Sequence, residues 1–123
     1  MRITKEDVLN IYKVLTLETG GTIGIRDEGL LSSALEAPYQ TFGGEELFPS
    51  LVEKTVRMGY GLVANHPFID GNKRIGILVM LTFFELNGIE LEFTDQEVID
   101  MAMGIASGRY KYEDLLSIVN KKL

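Results

Sequence analysis

The stretch His66-Pro67-Phe68-Ile69-Asp70-Gly71-Asn72-Lys73-Arg74 gathers a base, a carboxylate, an amide and two cations between two apolar segments. A neutral imidazole at His66 can take a proton from an attacking hydroxyl. Asp70 offers hard carboxylate oxygens of the kind that hold Mg2+ against phosphates. Gly71 permits close backbone approach, Asn72 supplies an amide, and Lys73 and Arg74 add positive charge, which together suit the oxygens of a phosphate. These are the parts of phosphoryl or nucleotidyl transfer. Each part alone is a weak signal: Asp70 equally suits a helix N-cap, and a single histidine is more often structural than reactive. His66 is the only histidine in the chain and there is no cysteine, so a zinc site lacks partners.

Those residues need an elbow between two helices to hold them. Pro67 disfavours a helical backbone at His66, so the helix before it ends at Asn65. That helix is expected over residues 50–65, with Val52, Val56, Gly59 and Val63 as one stripe and Met58 and Leu62 widening it. Its glycines, Gly59 and Gly61, suit close packing against the following helix. Asp70 and Gly71 are turn and N-cap types, so the second helix is expected from near Asn72 through Phe84. Lys73 and Arg74 then stand at a helix N-terminus, where each exposed cation is unfavourable by roughly 0.3–1 kcal/mol. An anion arriving there would relieve the conflict, and a broken local rule beside an apolar core marks a candidate site.

The remaining elements follow from period and punctuation. Thr4 and Asp7 open a helix carrying Val8, Ile11, Tyr12 and Leu15 to about Glu18, and Gly20-Gly21 closes it. Residues 22–26 alternate as a short extended piece that is either a connecting loop or a flap whose strand edge pairs with an incoming peptide. Arg26 within it either touches a ligand or is solvated. Asp27 caps a helix carrying Leu30, Leu31, Ala34 and Leu35, which Pro38 stops. Residues 38–49 read as a surface loop, and Ile89–Phe93 as a brief extended segment after Asn87-Gly88. Thr94 and Glu97 cap a helix running up to Gly108, and a last helix spans Tyr112 to Val119.

Composition bounds the rest. At 123 residues, 46% apolar with three prolines, the chain has the makings of one ordered domain over residues 1–123, an all-α helical bundle with a short extended flap. A net charge of −6, with Lys73-Arg74 as the main basic cluster, argues against direct nucleic-acid binding. The apolar run 75–84 is short of the roughly 20 residues that cross a bilayer, and the charged N-terminus is unlike a signal peptide, so neither membrane insertion nor export is expected. Absence of cysteine fits a reducing compartment.

The stretch from His66 to Arg74 resembles the signature of the Fic/Doc family, whose pattern is His, any, Phe, any, Asp or Glu, Gly, Asn, Gly, Arg, two variable residues and a second Arg. It matches at His66, Phe68, Asp70, Gly71, Asn72 and Arg74. Lys73 replaces the last small residue of the anion nest and Ile77 the second Arg; both departures resemble the Doc, or death-on-curing, branch of toxin–antitoxin pairs. The resemblance implies a helical Fic/Doc-type fold, a cytoplasmic protein, ATP and Mg2+ as cofactor and ion, and a separate antitoxin as partner. It implies His66 as catalytic base, Asp70 as Mg2+ ligand, Gly71, Asn72, Lys73 and Arg74 as phosphate-binding residues and Phe68 as anchor of the loop. It also implies Ile23, Gly24, Ile25 and Arg26 as a target-docking flap. In the Doc branch the γ-phosphate of ATP faces the histidine, so the implied activity is a Ser/Thr protein kinase acting on a translation factor such as elongation factor Tu. AMP transfer to a protein hydroxyl, the usual Fic reaction, and a non-catalytic partner-binding module are the alternatives. The spacing Ser32 to Glu36 resembles part of the Fic inhibitory helix, but Ala37 breaks that match.

Overall fold

The computed structural model describes residues 2–69 and 74–123. Its described helices are α1 (Lys5–Thr19), α2 (Glu28–Glu36), α3 (Leu51–Asn65), α4 (Ile75–Leu86), α5 (Asp95–Ala106) and α6 (Tyr112–Asn120). The fold is a compact helical one, with a single two-stranded ribbon among the described residues.

Start signals in the sequence set most of these helices. Ser50 accepts from Glu53 N–H while the Glu53 carboxylate accepts from Ser50 N–H, and Thr94 and Glu97 make the same reciprocal pair. Thr4 and Asp27 each cap with one side-chain oxygen. Such caps satisfy amides that a helix cannot bond internally, and each is worth about 0.5–2 kcal/mol. Gly20 ends α1 at φ 74°, a left-handed position that a glycine adopts without a Cβ penalty.

Two stretches differ from the sequence reading. Residues 38–49 are not plain loop: a 3-10 turn at Ala37–Tyr39 leads into a ribbon of β1 (Thr41–Phe42) and β2 (Glu45–Glu46), Thr41 facing Glu46 and Phe42 facing Glu45. Gly43 and Gly44 both have positive φ, 60° and 83°, as a two-residue hairpin turn requires. Ile89–Phe93 forms no ladder, because no described strand lies beside it.

Helices α3 and α4 are the central pair. Ile75, Val79 and Phe83 of α4 enter a core with α1 and α2, whereas Ile77, Met80 and Phe84 enter a second core with α5 and α6. A helix buried on two faces has no polar stripe, which explains the nearly unbroken apolar run from Ile75 to Phe84. The pair approaches closely at glycines. A Cβ on Gly59 would lie 2.6 Å from Met80 Sδ, and one on Gly76 would lie 2.8 Å from Val63 Cγ2 and 3.1 Å from the Val63 backbone nitrogen. Residues 66–74 connect these two helices, so the candidate site hangs between the best-buried elements of the molecule.

Candidate functional site

Helix α3 ends at Asn65, and His66 is its C-cap at φ 47°, ψ 59°, the left-handed conformation. It is the only non-glycine residue with positive φ among the described residues. That conformation costs an L-residue about 1–2 kcal/mol, and it is a type of strain concentrated at functional positions. Pro67, which follows, is buried and its carbonyl accepts from the N–H groups of Arg26 (2.6 Å) and Asp27 (3.2 Å).

Phe68 is 1% exposed and sits in the core that α1, α2, α3 and α4 share. Its ring lies flat on Tyr12 of α1, centroids 3.8 Å apart and planes 7° apart. This aromatic stack thus fastens the segment after α3 to α1. Ile69, next along, is 54% exposed, and its N–H donates to Gly24 carbonyl at 2.9 Å.

Residues 23–26 therefore lie against the motif itself. Ile25 and Phe68 form an isolated antiparallel bridge, flanked by the bonds from Arg26 N–H to Pro67 carbonyl and from Ile69 N–H to Gly24 carbonyl. In a pair of this kind, the N–H and C=O of Ile25 point to the opposite edge. The expected flap is thus half-occupied: one edge holds the motif, the other faces outward. Gly24 has no room for a side chain, since a Cβ there would lie 2.2 Å from Ile69 Cδ1.

The sequence reading missed the role of Tyr12. Its hydroxyl accepts from Gly24 N–H (3.0 Å) and lies within donating distance of the Gly24 (3.1 Å) and Thr22 (3.3 Å) carbonyls. One buried side chain of α1 thus stacks on the motif and grips the flap. Its place in the stripe Val8, Ile11, Tyr12, Leu15 announces a core ring; only an aromatic with a hydroxyl at that position hinted at more.

Arg26, left open between ligand contact and solvation, does something else. Its Nε donates to the His66 carbonyl at 2.8 Å and its Nη2 to the Asn65 carbonyl at 3.0 Å. These carbonyls belong to the last turn of α3, whose oxygens a helix cannot satisfy internally. A cation there also complements the negative end of the helix dipole. Asn65 is fixed from its other side as well, Nδ2 donating to the Leu30 carbonyl at 3.0 Å.

Across the loop, α4 begins at Ile75 with exposed Arg74 as its N-cap, in helical conformation and without a side-chain cap bond. This corrects the expected helix start near Asn72. An arginine has no side-chain acceptor to offer the first amides, so this N-cap residue does not itself satisfy them. The calls on Asp70, Gly71, Asn72 and Lys73 fall outside the described residues. The described structure thus brings together His66, Phe68 and the flap residues Gly24, Ile25 and Arg26, with Ile23 at the flap's exposed start, and places Arg74 at the head of α4.

Comparison with known proteins identifies the family. The family model described as Fic/DOC family matches residues 2–84, from the start of the chain to within α4. A protein named Toxin Doc from Mycolicibacterium smegmatis is 35% identical over 89 residues, covering 72% of this chain and 66% of that relative. The chain belongs to the Fic/DOC family. The departures at Lys73 and Ile77, together with the likeness to Toxin Doc, put it on the Doc branch.

Proposed function

We propose that this chain is the toxin of a toxin–antitoxin pair, a cytoplasmic protein kinase that moves the γ-phosphate of ATP onto a Ser or Thr hydroxyl of a translation factor. The observation that carries the proposal is a lone histidine held in a strained conformation at the end of α3, followed within eight residues of sequence by Gly71, Asn72, Lys73 and Arg74, the last of which is the N-cap of α4. Membership of the family supports transfer of a group to a protein, and the likeness to Toxin Doc supports the toxin role and an antitoxin partner.

In this mechanism a ring nitrogen of His66 takes the proton of the acceptor hydroxyl as its oxygen bonds to the γ-phosphorus. The bond from that phosphorus to the bridging β–γ oxygen breaks, and ADP leaves with the electron pair. Gly71, Asn72, Lys73, Arg74 and the first amides of α4 would balance the phosphate charge. Asp70, a hard carboxylate next to that cradle, fits Mg2+, which supplies charge neutralisation at the phosphates when bound. The outward edge of Ile25 would align the acceptor by strand pairing. A lysine at position 73 supports the γ-phosphate pose over AMP transfer, because a side chain there would block the close backbone contact with a β-phosphate that a small residue allows, and would substitute a mobile point charge.

The test is incubation of the protein with elongation factor Tu and either γ-labelled or α-labelled ATP. Label from the γ position alone is expected, falling about 10²–10⁴-fold in His66→Ala as for loss of a general base. Label from the α position would replace the kinase with AMP transfer. Absence of both from folded protein, with antitoxin binding intact in His66→Ala, would leave a binding module instead.

A further inference from the structure

We infer that Arg26 is a positioning residue for His66, acting on its backbone and touching neither nucleotide nor acceptor. The functional consequence rests on the reading of His66 as base; the structural one does not. Arg26 spends its guanidinium on the chain's own carbonyls, Nε on His66 at 2.8 Å and Nη2 on Asn65 at 3.0 Å. Its backbone N–H binds Pro67 carbonyl at 2.6 Å. Three bonds from one residue thus hold three consecutive peptide units, on either side of the only left-handed non-glycine among the described residues. His66 is also the residue whose neighbours least enforce that conformation by type, since no glycine stands there to adopt it freely.

Geometry separates this role from ligand contact. A guanidinium has a planar fork of donors, and a bidentate grip on two carbonyls fixes its plane. Charged donors on carbonyls at a helix C-terminus are favoured by the dipole as well, so the guanidinium is already used where it stands. The flap and the base are therefore one mechanical unit: moving residues 24–26 moves the corner that carries the imidazole.

The experiment compares wild type, Arg26→Lys and Arg26→Ala by two independent readouts. The first needs no activity. Because the chain has one histidine, protein carrying 15N,13C-histidine gives the resonances of His66 alone. Arg26→Ala is expected to shift its Cα and Cβ resonances away from left-handed values and to speed exchange of the Ile69 amide, with α6 amides unchanged; Arg26→Lys, which keeps one charged donor, is expected to fall between. The second readout is steady-state transfer to the protein acceptor. In Arg26→Ala, kcat is expected to fall about 10²-fold with both KM values within about twofold, the pattern of a misplaced reacting group. His66 resonances superimposable on wild type in Arg26→Ala overturn the inference, and so does a rise in either KM with kcat retained, which would make Arg26 a ligand contact. If wild type transfers no label at all, the reading of His66 as base fails, and the resonances alone decide the role of Arg26.

Discussion

Phe68 and Tyr12 show how differently two aromatic residues announce themselves. A phenylalanine inside a loop of charged and turn-forming residues has few places to go but inward, so its burial can be read from the sequence. Tyr12 sits where any apolar residue of α1 would, and its ring is legible as core; its hydroxyl is not, because its partners lie ten and twelve residues away at Thr22 and Gly24. Removing that oxygen in Tyr12→Phe leaves the stack on Phe68 intact but strands the Gly24 N–H in a half-buried place, while the Gly24 carbonyl keeps the Ile69 N–H. A loss of about 1–3 kcal/mol is expected for unmade bonds of this kind, measured as a drop in urea midpoint at constant slope. Phe68→Ala opens a cavity instead and is expected to cost about 3–5 kcal/mol. A Tyr12→Phe protein as stable as wild type would mean that the hydroxyl contributes nothing beyond ring packing.

At the scale of elements, what the sequence announced was whatever a short-range signal encodes. The reciprocal caps at Ser50–Glu53 and Thr94–Glu97, the glycine at the end of α1 and the stop at Asn65 are all local chemistry. The ribbon Thr41–Glu46 escaped because strands of two residues each, exposed on both faces, leave no alternation to read; only Gly43-Gly44 marked it. The head of α4 was expected too early, near Asn72, because Asp70 and Gly71 are cap types, whereas the helix begins at Ile75 with Arg74, a residue without a side-chain cap bond, as its N-cap. Close approach of α3 and α4 was legible at Gly59, but Gly61, read the same way, lies against Ala34 of α2 instead, and Gly76 reads in the sequence only as a weak helix former. The structure makes it the stricter contact, since a Cβ there meets stiff Val63 and backbone, while one on Gly59 meets the bendable Met80. Alanine gains about 1 kcal/mol over glycine in a helix interior, yet overpacking costs typically about 1–3 kcal/mol. Gly76→Ala is therefore expected to destabilise despite its better propensity and Gly59→Ala to be closer to neutral, with thermal melts of the two variants deciding the order. Because Arg74 is the N-cap of α4, two residues before Gly76, displacement at Gly76 would be expected to move Arg74, one of the proposed phosphate-binding residues.

At the scale of the molecule, two cores share the α3–α4 pair, and the last helix reports on the integrity of the second. Tyr112, at the head of α6, reaches back to α3, its hydroxyl donating to the Glu53 carbonyl at 3.4 Å and its ring edge-on to Phe48 with centroids 4.9 Å apart. Burial, aided by the carboxylates of Glu53 and Glu113, pushes its phenol from the ordinary 10.0 up to about 12, against an opposing pull from Arg57. A phenol whose pKa is raised on folding binds its proton more tightly in the native state. Its contribution is whole below about pH 10, where both states are protonated, and it is lost as pH rises toward about 12, because the unfolded chain ionises first. Stability should thus fall with pH through that window, and Tyr112→Phe, which has nothing to ionise, should show a shallower decline while losing the bond to Glu53. Urea titrations at pH steps through the window, paired with tyrosinate absorbance, separate the two effects: the two proteins differ only in this phenol, so the difference in slope belongs to this ring. Equal slopes would mean that the phenol is as free to ionise in the native state as in the unfolded one, and that α6 does not seal the second core against α3.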